Sequence, residues 1–196
     1  MFKKVFVIVW ASISIFGAIA VGAEERMPNR LAVASLVDRV NYSHWMKSSF
    51  RISQDRNHIA YVAEDDDKMV VIVDGKKGTR YDAILSGTPI VSPDGLSVAY
   101  AARKGNRWFV VSDGREGKRY DGISEHSVTF SQDEMHLAYA AKSGRVSFVV
   151  LDGKEGIQYD SSAVIEPDSI VIDSPDSLHY LVVEGCDVYY VKETID

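Results

Sequence analysis

The chain contains a single cysteine, Cys186, and only five prolines among its 196 residues. One cysteine excludes an internal disulfide, and it also excludes metal sites that are built on several cysteines. Basic residues are in the minority, with 22 lysines and arginines against 28 acidic residues. This negative balance argues against nucleic acid as a partner, because phosphate backbones are bound by clustered basic side chains.

The common catalytic motifs are missing as well. The chain has no phosphate loop, no dinucleotide-binding fingerprint and no Gly-x-Ser-x-Gly nucleophile elbow. The nearest match to the elbow, residues 122–126, has His126 where the second glycine should stand. The acidic run from Glu64 to Asp67 lacks the spaced ligands of a calcium loop, and it aligns with plain hairpin tips. The sequence therefore predicts a non-enzymatic protein with no cofactor and no metal site.

What the sequence does contain is a repeat of 39 residues, marked by four short motifs. No long stretch of the repeat has helical periodicity. A period of this length indicates a repeat architecture of the propeller-blade type. The first residues of the motifs are Asp74, Asp113 and Asp152 for Asp-Gly; Tyr81, Tyr120 and Tyr159 for Tyr-Asp; Ala60, Ala99 and Ala138 for Ala-Tyr; and Ser53, Ser92 and Ser131 for Ser-x-Asp.

Each repeat is predicted to form four short strands. In the third copy these are residues 127–130, 136–141, 146–151 and 157–160, each rich in Val, Phe, Tyr or Ala and bounded by Gly, Asp and Ser. The same pattern places the three full blades at about 47–82, 88–121 and 127–160. The repeated Asp residues are expected to cap turns, and the repeated Tyr residues are expected to pack on outer strands.

A fourth blade follows, but it is one strand short. Its predicted strands are residues 170–172, 178–183 and 188–191, after an insertion in 161–173. Tyr42 lies 39 residues before Tyr81, where the fourth strand of a preceding blade would be. We therefore predict an all-β propeller of about four blades over residues 41–196, with the N-terminal strand closing the last blade. The alternative is an open partial propeller. A closed ring predicts a monomer, and an open one allows a homodimer or stabilisation by another protein.

Residues 1–23 have the pattern of a secretory signal peptide. Lys3 and Lys4 precede an apolar run that ends in small residues before Glu24. Cleavage predicts a periplasmic or secreted protein without a stable membrane span, preceded by a segment at 24–40. The alternative is an uncleaved leader that anchors the protein in the inner membrane.

The Ser-Pro-Asp-Gly motif at 92–95, together with the Ala-Tyr and Asp-Gly motifs, resembles the bacterial WD-repeat-like propeller repeats of the TolB type. The resemblance covers about residues 42–192, and only one of the four turns keeps the whole Ser-Pro-Asp-Gly motif. It implies a propeller, and it implies protein–protein scaffolding in the bacterial envelope or a gating module attached to a peptidase. The chain is shorter than the six- to eight-bladed members and has no attached second domain.

Four residues near the connections between blades are candidates for binding a partner: His44, Trp45, Glu125 and His126. An exposed Trp beside polar groups is a typical anchor for a protein partner, although Trp45 could instead be buried under blade one. Three other histidines, His58, His136 and His179, recur near the start of a second strand, which favours a structural role.

Three functional hypotheses follow. The first is a binding or scaffold module whose partner is another envelope or secreted protein. The second is a hydrolase or lyase that uses carboxylates around a central channel, with Asp173 as the main acid. The third is a truncated relative of a longer propeller without a dedicated ligand.

Overall fold

The computed structural model describes residues 44–160 and 162–194. The predicted leader, the segment 24–40 and the predicted strand around Tyr42 lie outside these residues. The described part is an all-β, propeller-type array of four antiparallel sheets, which confirms the predicted fold class. The sheets follow one another along the chain, and each repeat forms one sheet.

Blades one and two each have a first strand that is split in two; in blade one the first half is the bridge of Trp45 to Ala63. The strands of blade one are β1 (Arg51–Ile52), β2 (Ile59–Asp65), β3 (Lys68–Val73) and β4 (Lys76–Tyr81). Those of blade two are β5 (Ala83–Ile84), β6 (Ile90–Val91), β7 (Val98–Lys104), β8 (Arg107–Ser112) and β9 (Arg115–Glu116), and Tyr120 bridges to β8 beyond β9.

Blade three repeats the split, and blade four stops after its third strand. The strands of blade three are β10 (Gly122–Ile123), β11 (Thr129–Phe130), β12 (Leu137–Ser143), β13 (Val146–Leu151), β14 (Lys154–Glu155) and β15 (Tyr159–Asp160). Those of blade four are β16 (Ala163–Ile165), β17 (Val171–Ser174), β18 (Ser177–Glu184) and β19 (Asp187–Thr194). The predicted insertion thus contains β16, which is the first half of a split strand.

A Ser or Thr hydroxyl, buried in blades one to three and partly exposed in blade four, holds the break in each first strand, and the sequence analysis missed it. Ser127 Oγ donates to Ser124 O at 2.7 Å and accepts from Ala140 N–H at 3.1 Å. Because the hydroxyl satisfies a backbone group that the broken strand leaves unpaired, the chain can bulge without orphaned donors. The 39-residue period was a usable signal for three of these four residues, Ser49, Thr88, Ser127 and Ser169.

The Ser-x-Asp motifs form the turns between first and second strands, as predicted. Ser92 Oγ donates to Asp94 Oδ1 at 2.5 Å, and Leu96 N–H donates to the same oxygen at 2.9 Å. The equivalent hydrogen bond from the Ser53 hydroxyl is the main cause that lowers the pKa of Asp55 to about 2. These aspartates therefore act as local turn caps.

The Asp-Gly motifs form the turns between third and fourth strands. Asp74, Asp113 and Asp152 have φ between 47° and 50°, and each glycine that follows also has positive φ, a conformation that glycine adopts without strain. One carboxylate oxygen accepts from the first amide of the second strand. For Asp74 this donor is Ile59 N–H at 2.9 Å. The other oxygen of Asp74 contacts His58 Nδ1 at 2.8 Å, which is the structural role predicted for this histidine.

The His58–Asp74 contact predicts a pH-dependent stability. The hydrogen bond to Asp74 raises the pKa of His58 above its ordinary 6.5. Burial is the largest single effect on Asp74 and acts to raise its pKa, but the hydrogen bonds from His58 and from Ile59 N–H, together with the charges of His58 and Lys76, lower the pKa below 3.8. The contribution of His58 to the free energy of unfolding is therefore complete below pH 6.5, and it is lost as the pH rises through the higher pKa of His58 in the folded protein. The aspartate contribution is lost only as pH falls below 3.8.

The matched variant is His58→Ser, because blade two has Ser97 at this position and its hydroxyl donates to Asp113 at 3.0 Å. We expect wild type to have a higher free energy of unfolding than His58→Ser, and we expect the difference between the two proteins to be larger at pH 5.5 than at pH 8.5. Urea unfolding at the two pH values measures the difference. A difference that is equal at both pH values would contradict a contribution from protonated His58.

Neighbouring blades pack through paired tyrosines, in agreement with the predicted packing role. The ring centroids of Tyr81 and Tyr100 lie 6.1 Å apart, and those of Tyr120 and Tyr139 lie at the same distance. Burial raises the pKa of Tyr100 and of Tyr139. Separate apolar clusters join blade one to two, two to three, and three to four. These clusters form the core.

The sheets are not closed into a ring. His44 O accepts from Glu64 N–H at 2.7 Å and Met46 N–H donates to Val62 O at 2.8 Å, so residues 44–46 extend the sheet of blade one. Within residues 44–160 and 162–194, no apolar cluster joins blade four to blade one. Within the described residues the array is thus open; the strand around Tyr42 that is predicted to close the last blade lies outside them, and the closure stays a prediction.

Candidate functional site

The predicted binding residues fall into two groups on the side where the connections between blades lie. Trp45 is half-buried, bridges to Ala63, and packs edge-on against Phe50 and Tyr61 with centroids at 5.6 and 6.0 Å. Its indole therefore covers blade one, which is the packing alternative considered for it. His44 is exposed beside it.

Glu125 and His126 are exposed, and His126 has φ of 61°. Its ring reaches back to blade two, where a Cβ on Gly87 would lie 2.8 Å from His126 Nδ1. Gly87 also has a φ of 83°, so any other residue there would be strained. His126 lines a cavity of about 250 Å³ that also contains Arg51 of blade one, whereas Trp45 does not line it.

Arg51 lies in this cavity with its guanidinium held by main-chain oxygens. Its Nη1 donates to Ser48 O at 3.0 Å and to Phe50 O at 3.1 Å, and its Nη2 lies 3.4 Å from Gly87 O. These bonds tie the first strand of blade one to the connection that enters blade two. The charge of Arg51 adds a positive group to the cavity next to His126.

A wider groove of about 430 Å³ lies between blades two and three, on the side of the Ser-x-Asp turns. Its charged lining groups already have partners. His136 Nδ1 contacts Asp152 Oδ2 at 2.6 Å, and Lys118 Nζ contacts Glu155 Oε1 at 2.6 Å. The groove is thus lined by groups that hold the blades together.

The acid predicted for a hydrolase mechanism is also engaged. Asp173 contacts His179 Nδ1 at 2.9 Å. In the acidic run, Asp65 accepts from Arg80 at 2.8 Å and from Lys77 at 3.1 Å. Among the residues that the structure describes, no three His, Cys, Asp or Glu side chains gather as metal ligands. No helix in the described ranges is long and apolar enough to cross a membrane.

Blade four differs from the others because one of its faces is open. The strand register places six apolar residues on the face turned away from blade three. Val188 is 62% exposed and Tyr190 64% exposed, although they lie opposite Val183 and Leu181 in the middle of the sheet. We call this surface the open face; it consists of Val164, Val171, Leu181, Val183, Val188 and Tyr190.

The open face is not shaped like the faces that accept a further blade. The residue before the second-strand tyrosine is Ala99 in blade two and Ala138 in blade three, both fully buried under the next blade. In blade four this residue is His179, whose ring lies 5.2 Å from that of Tyr190. His179 therefore occupies a different register position from His58 and His136, which corrects the prediction that the three are equivalent.

The outer edge of blade four is open too. In the described residues β19 pairs only with β18, over eight residues from Asp187 to Thr194. Blades one to three cover the same edge with β4, with β9 and Tyr120, and with β14 and β15. An edge of this length presents a row of unpaired backbone groups on which another strand can add.

Glu193 occupies the position equivalent to Asp152, the residue at which the third strand of blade three ends in a turn. Its Oε1 accepts from Ile157 N–H at 2.7 Å, and its Oε2 accepts from the Tyr180 hydroxyl at 2.8 Å. In the earlier blades, Glu116 and Glu155 of the fourth strands lie near the corresponding tyrosines and act to raise the pKa of Tyr81 and Tyr120, where burial is the larger cause. Blade four thus supplies the carboxylate from its third strand.

No protein-family model matches the chain, and no curated protein matches it in sequence. The structure is similar to TolB from Acinetobacter baumannii at 15% identity, with a TM-score of 0.46, over 75% of this chain and 40% of that one. It is also similar to a prolyl endopeptidase (15% identity, TM-score 0.47, 76% and 27%) and to a Pyrococcus horikoshii acylaminoacyl peptidase (13% identity, TM-score 0.43, 78% and 33%). The chain spans less than half the length of each. The assignment to the propeller type rests on the chain's own strand pairing.

Proposed function

We propose that this protein is a non-enzymatic binding module that holds another exported protein against its last blade. One observation carries the proposal: in the described chain, blade four leaves both the outer edge of β19 and an apolar face exposed. Soluble proteins rarely expose contiguous apolar surface unless it binds something. The combination of a free strand edge and an apolar face suits an extended protein segment.

The local sequence supports a binding edge. Exposed edge strands are commonly protected by proline, by bulges or by inward-pointing charges. On β19 the charged residues are Asp187 at its start and Lys192 and the inward-pointing Glu193 near its end, whereas residues 188–191 between them have no charge and no proline and present Val188, Tyr189 and Tyr190 at 48 to 64% exposure. Tyrosine is enriched at protein interfaces because its ring has a large apolar area and a polar tip.

The connection side provides a second contact region in this proposal. Glu125 and His126 are exposed at the rim of the cavity that contains Arg51, and His44 lies exposed next to blade one. A partner that extends from the last blade over the connection side would meet the negative charge of Glu125 and the positive charge of Arg51. In the described ranges, neither the hydrolase hypothesis nor the hypothesis of a truncated relative is supported by a structural feature comparable to the exposed edge and apolar face of blade four. The leader predicts that the partner is periplasmic or secreted.

Site-specific photo-cross-linking tests the proposed function. A photoreactive amino acid replaces Tyr190 in the full chain, and the matched control places it at Met135, which is 79% exposed on a turn of blade three. In the producing cell we expect a discrete adduct from position 190, competed by excess unlabelled protein, and none from position 135. A second protein carries the photoreactive residue at 190 together with Val188→Asp. We expect less of the adduct from this protein, because binding would then bury the charge of the aspartate in the interface.

Equal, diffuse cross-linking from both positions would contradict a binding surface on blade four. An adduct that appears only with a photoreactive residue at His126 would move the binding surface to the connection side.

A further inference from the structure

The fourth strands of blades one to three have a common pattern. Residues 76–81 read Lys-Lys-Gly-Thr-Arg-Tyr, residues 115–120 read Arg-Glu-Gly-Lys-Arg-Tyr, and residues 154–159 read Lys-Glu-Gly-Ile-Gln-Tyr. Each begins with a basic residue, and each has glycine three residues before tyrosine. Each lies along the outer edge of the third strand of its own blade.

The backbone contacts of this strand are the same in successive blades. In blade two, Trp108 N–H donates to Tyr120 O at 3.0 Å and Tyr120 N–H donates to Trp108 O at 2.7 Å. Nearer the turn, Gly117 N–H donates to Val110 O at 2.9 Å, and in blade three Gly156 N–H donates to Val149 O at the same distance. The strand is therefore attached at its tyrosine and at its glycine.

The glycine is required by close approach of the two backbones. A Cβ at Gly78 would lie 3.1 Å from Val71 O, and a Cβ at Gly117 would lie 3.0 Å from Val110 O. Both oxygens are backbone atoms of a buried third strand and have little freedom to move. A larger residue at this position therefore pushes the added strand away from the sheet.

The third strand of blade four, β19, has the same register to its second strand as the third strand of blade three, so each of these backbone contacts has an equivalent position on β19. Ser147 of blade three pairs with Lys142 and Val149 pairs with Ala140, whereas in blade four Val188 pairs with Val183 and Tyr190 pairs with Leu181. Val188 is thus the residue that would exchange two hydrogen bonds with the tyrosine of an added strand. The carbonyl of Tyr190 would accept from its glycine.

We propose that β19 binds an extended segment of a different protein that carries glycine three residues before tyrosine, preceded by a basic residue; this rests on the proposed function. The tyrosine ring of that segment lies on the open face beside Val188, as Tyr81 lies beside Met69 in blade one. The complex completes the fourth blade by strand addition.

The chain's own N-terminal segment fits the pattern less well. Counting back 39 residues aligns Tyr42 with Tyr81, but it aligns Arg39 with Gly78. An arginine therefore stands where the three fourth strands have glycine. The repeat thus favours a segment from another protein over residues 37–42 of this chain or of a second copy.

The test uses the full mature chain and a capped peptide with the sequence of residues 115–121, Arg-Glu-Gly-Lys-Arg-Tyr-Asp. Amide chemical shifts in NMR report where the peptide binds. We expect saturable shifts at Val188 and Tyr190, and a peptide carrying Gly117→Val is expected to bind at least about tenfold more weakly, the equivalent of one lost hydrogen bond. Val188→Pro in the protein removes the N–H that faces the added strand and is expected to abolish the shifts, whereas the matched variant Val188→Thr keeps this N–H and binds normally.

Each other outcome overturns the inference in a recognisable way. Equal binding of both peptides would contradict the glycine requirement but leave the binding edge in place. No shift at β19 with either peptide, together with a specific cross-link from position 190, would reject the segment pattern and keep the proposed function. A dimer by light scattering that Val188→Pro converts to monomer would assign the edge to a second copy. Circular dichroism of Val188→Pro confirms that loss of binding is not loss of folding.

Discussion

Replacing Ala138 by His is expected to destabilise the protein by roughly 2–5 kcal/mol, since an overpacked core side chain and an unpaired buried polar group each cost 1–3 kcal/mol. Ala138 is fully buried between blades three and four, and it packs in the cluster that contains Leu178, Tyr180 and Val182. An imidazole has no room there and no polar partner. Urea unfolding of the two proteins at pH 8, where histidine is neutral, measures the effect.

The reverse change, His179→Ala, is the matched control. His179 occupies the equivalent position of blade four, but its side chain is 26% exposed on the open face. We expect this variant to lose about 1 kcal/mol or less, because its contacts with Asp173 and with the Tyr190 ring lie on a partly exposed face, where such pairs contribute little to stability. Equal losses for the two variants would show that the face of blade four is covered as fully as that of blade three.

Glu193→Ala is expected to cost about 2–4 kcal/mol, because it leaves two donors in a buried place without their acceptor. The carboxylate is only 6% exposed and accepts from Ile157 N–H and from the Tyr180 hydroxyl. The contact with Ile157 attaches the third strand of blade four to the outer segment of blade three, and the contact with Tyr180 holds the carboxylate within blade four. Losing them separates the last blade from the rest of the core, so thermal unfolding should show a lower and broader transition.

Glu193→Gln provides the control for this prediction. The amide oxygen can still accept from Ile157 N–H, but the amide NH2 can meet the Tyr180 hydroxyl only as a donor, so a charge-assisted hydrogen bond is replaced by a weaker neutral one. An intermediate loss of about 1–2 kcal/mol is therefore expected. If Ala and Gln were equally harmless, the carboxylate would not be what holds β19 to blade three.

Local chemistry made the repeat and its turns predictable from the sequence. The Ser-x-Asp and Asp-Gly turns depend on contacts such as Ser92 with Asp94, two residues apart, and on positive φ at Asp74 and Gly75. Such contacts recur wherever the same residues recur. The buried hydroxyl of Ser127 belongs to the same class and was equally visible in the period, although it was overlooked.

The state of the last blade was not predictable in this way. The sequence predicts four strands in each of blades one to three and three in blade four, and Tyr42 stands where a fourth strand would lie, so closure by that strand is a hypothesis from the period alone. In the structure, residues 44–46 pair with blade one, as Ala83–Ile84 pair with blade two directly after Tyr81, and blade four packs on blade three alone within the described part. Whether an edge is covered depends on which distant segment reaches it.

The sequence by itself thus determined the strands, the turns and the order of the blades, because these depend on side chains within a few residues of one another. Only the tertiary structure decided that Glu193 bonds to Ile157, 36 residues away, and that Val188 and Tyr190 face outward. Burial is set by the elements that pack against a strand. The period places a residue on a face, but it does not say whether another blade covers that face.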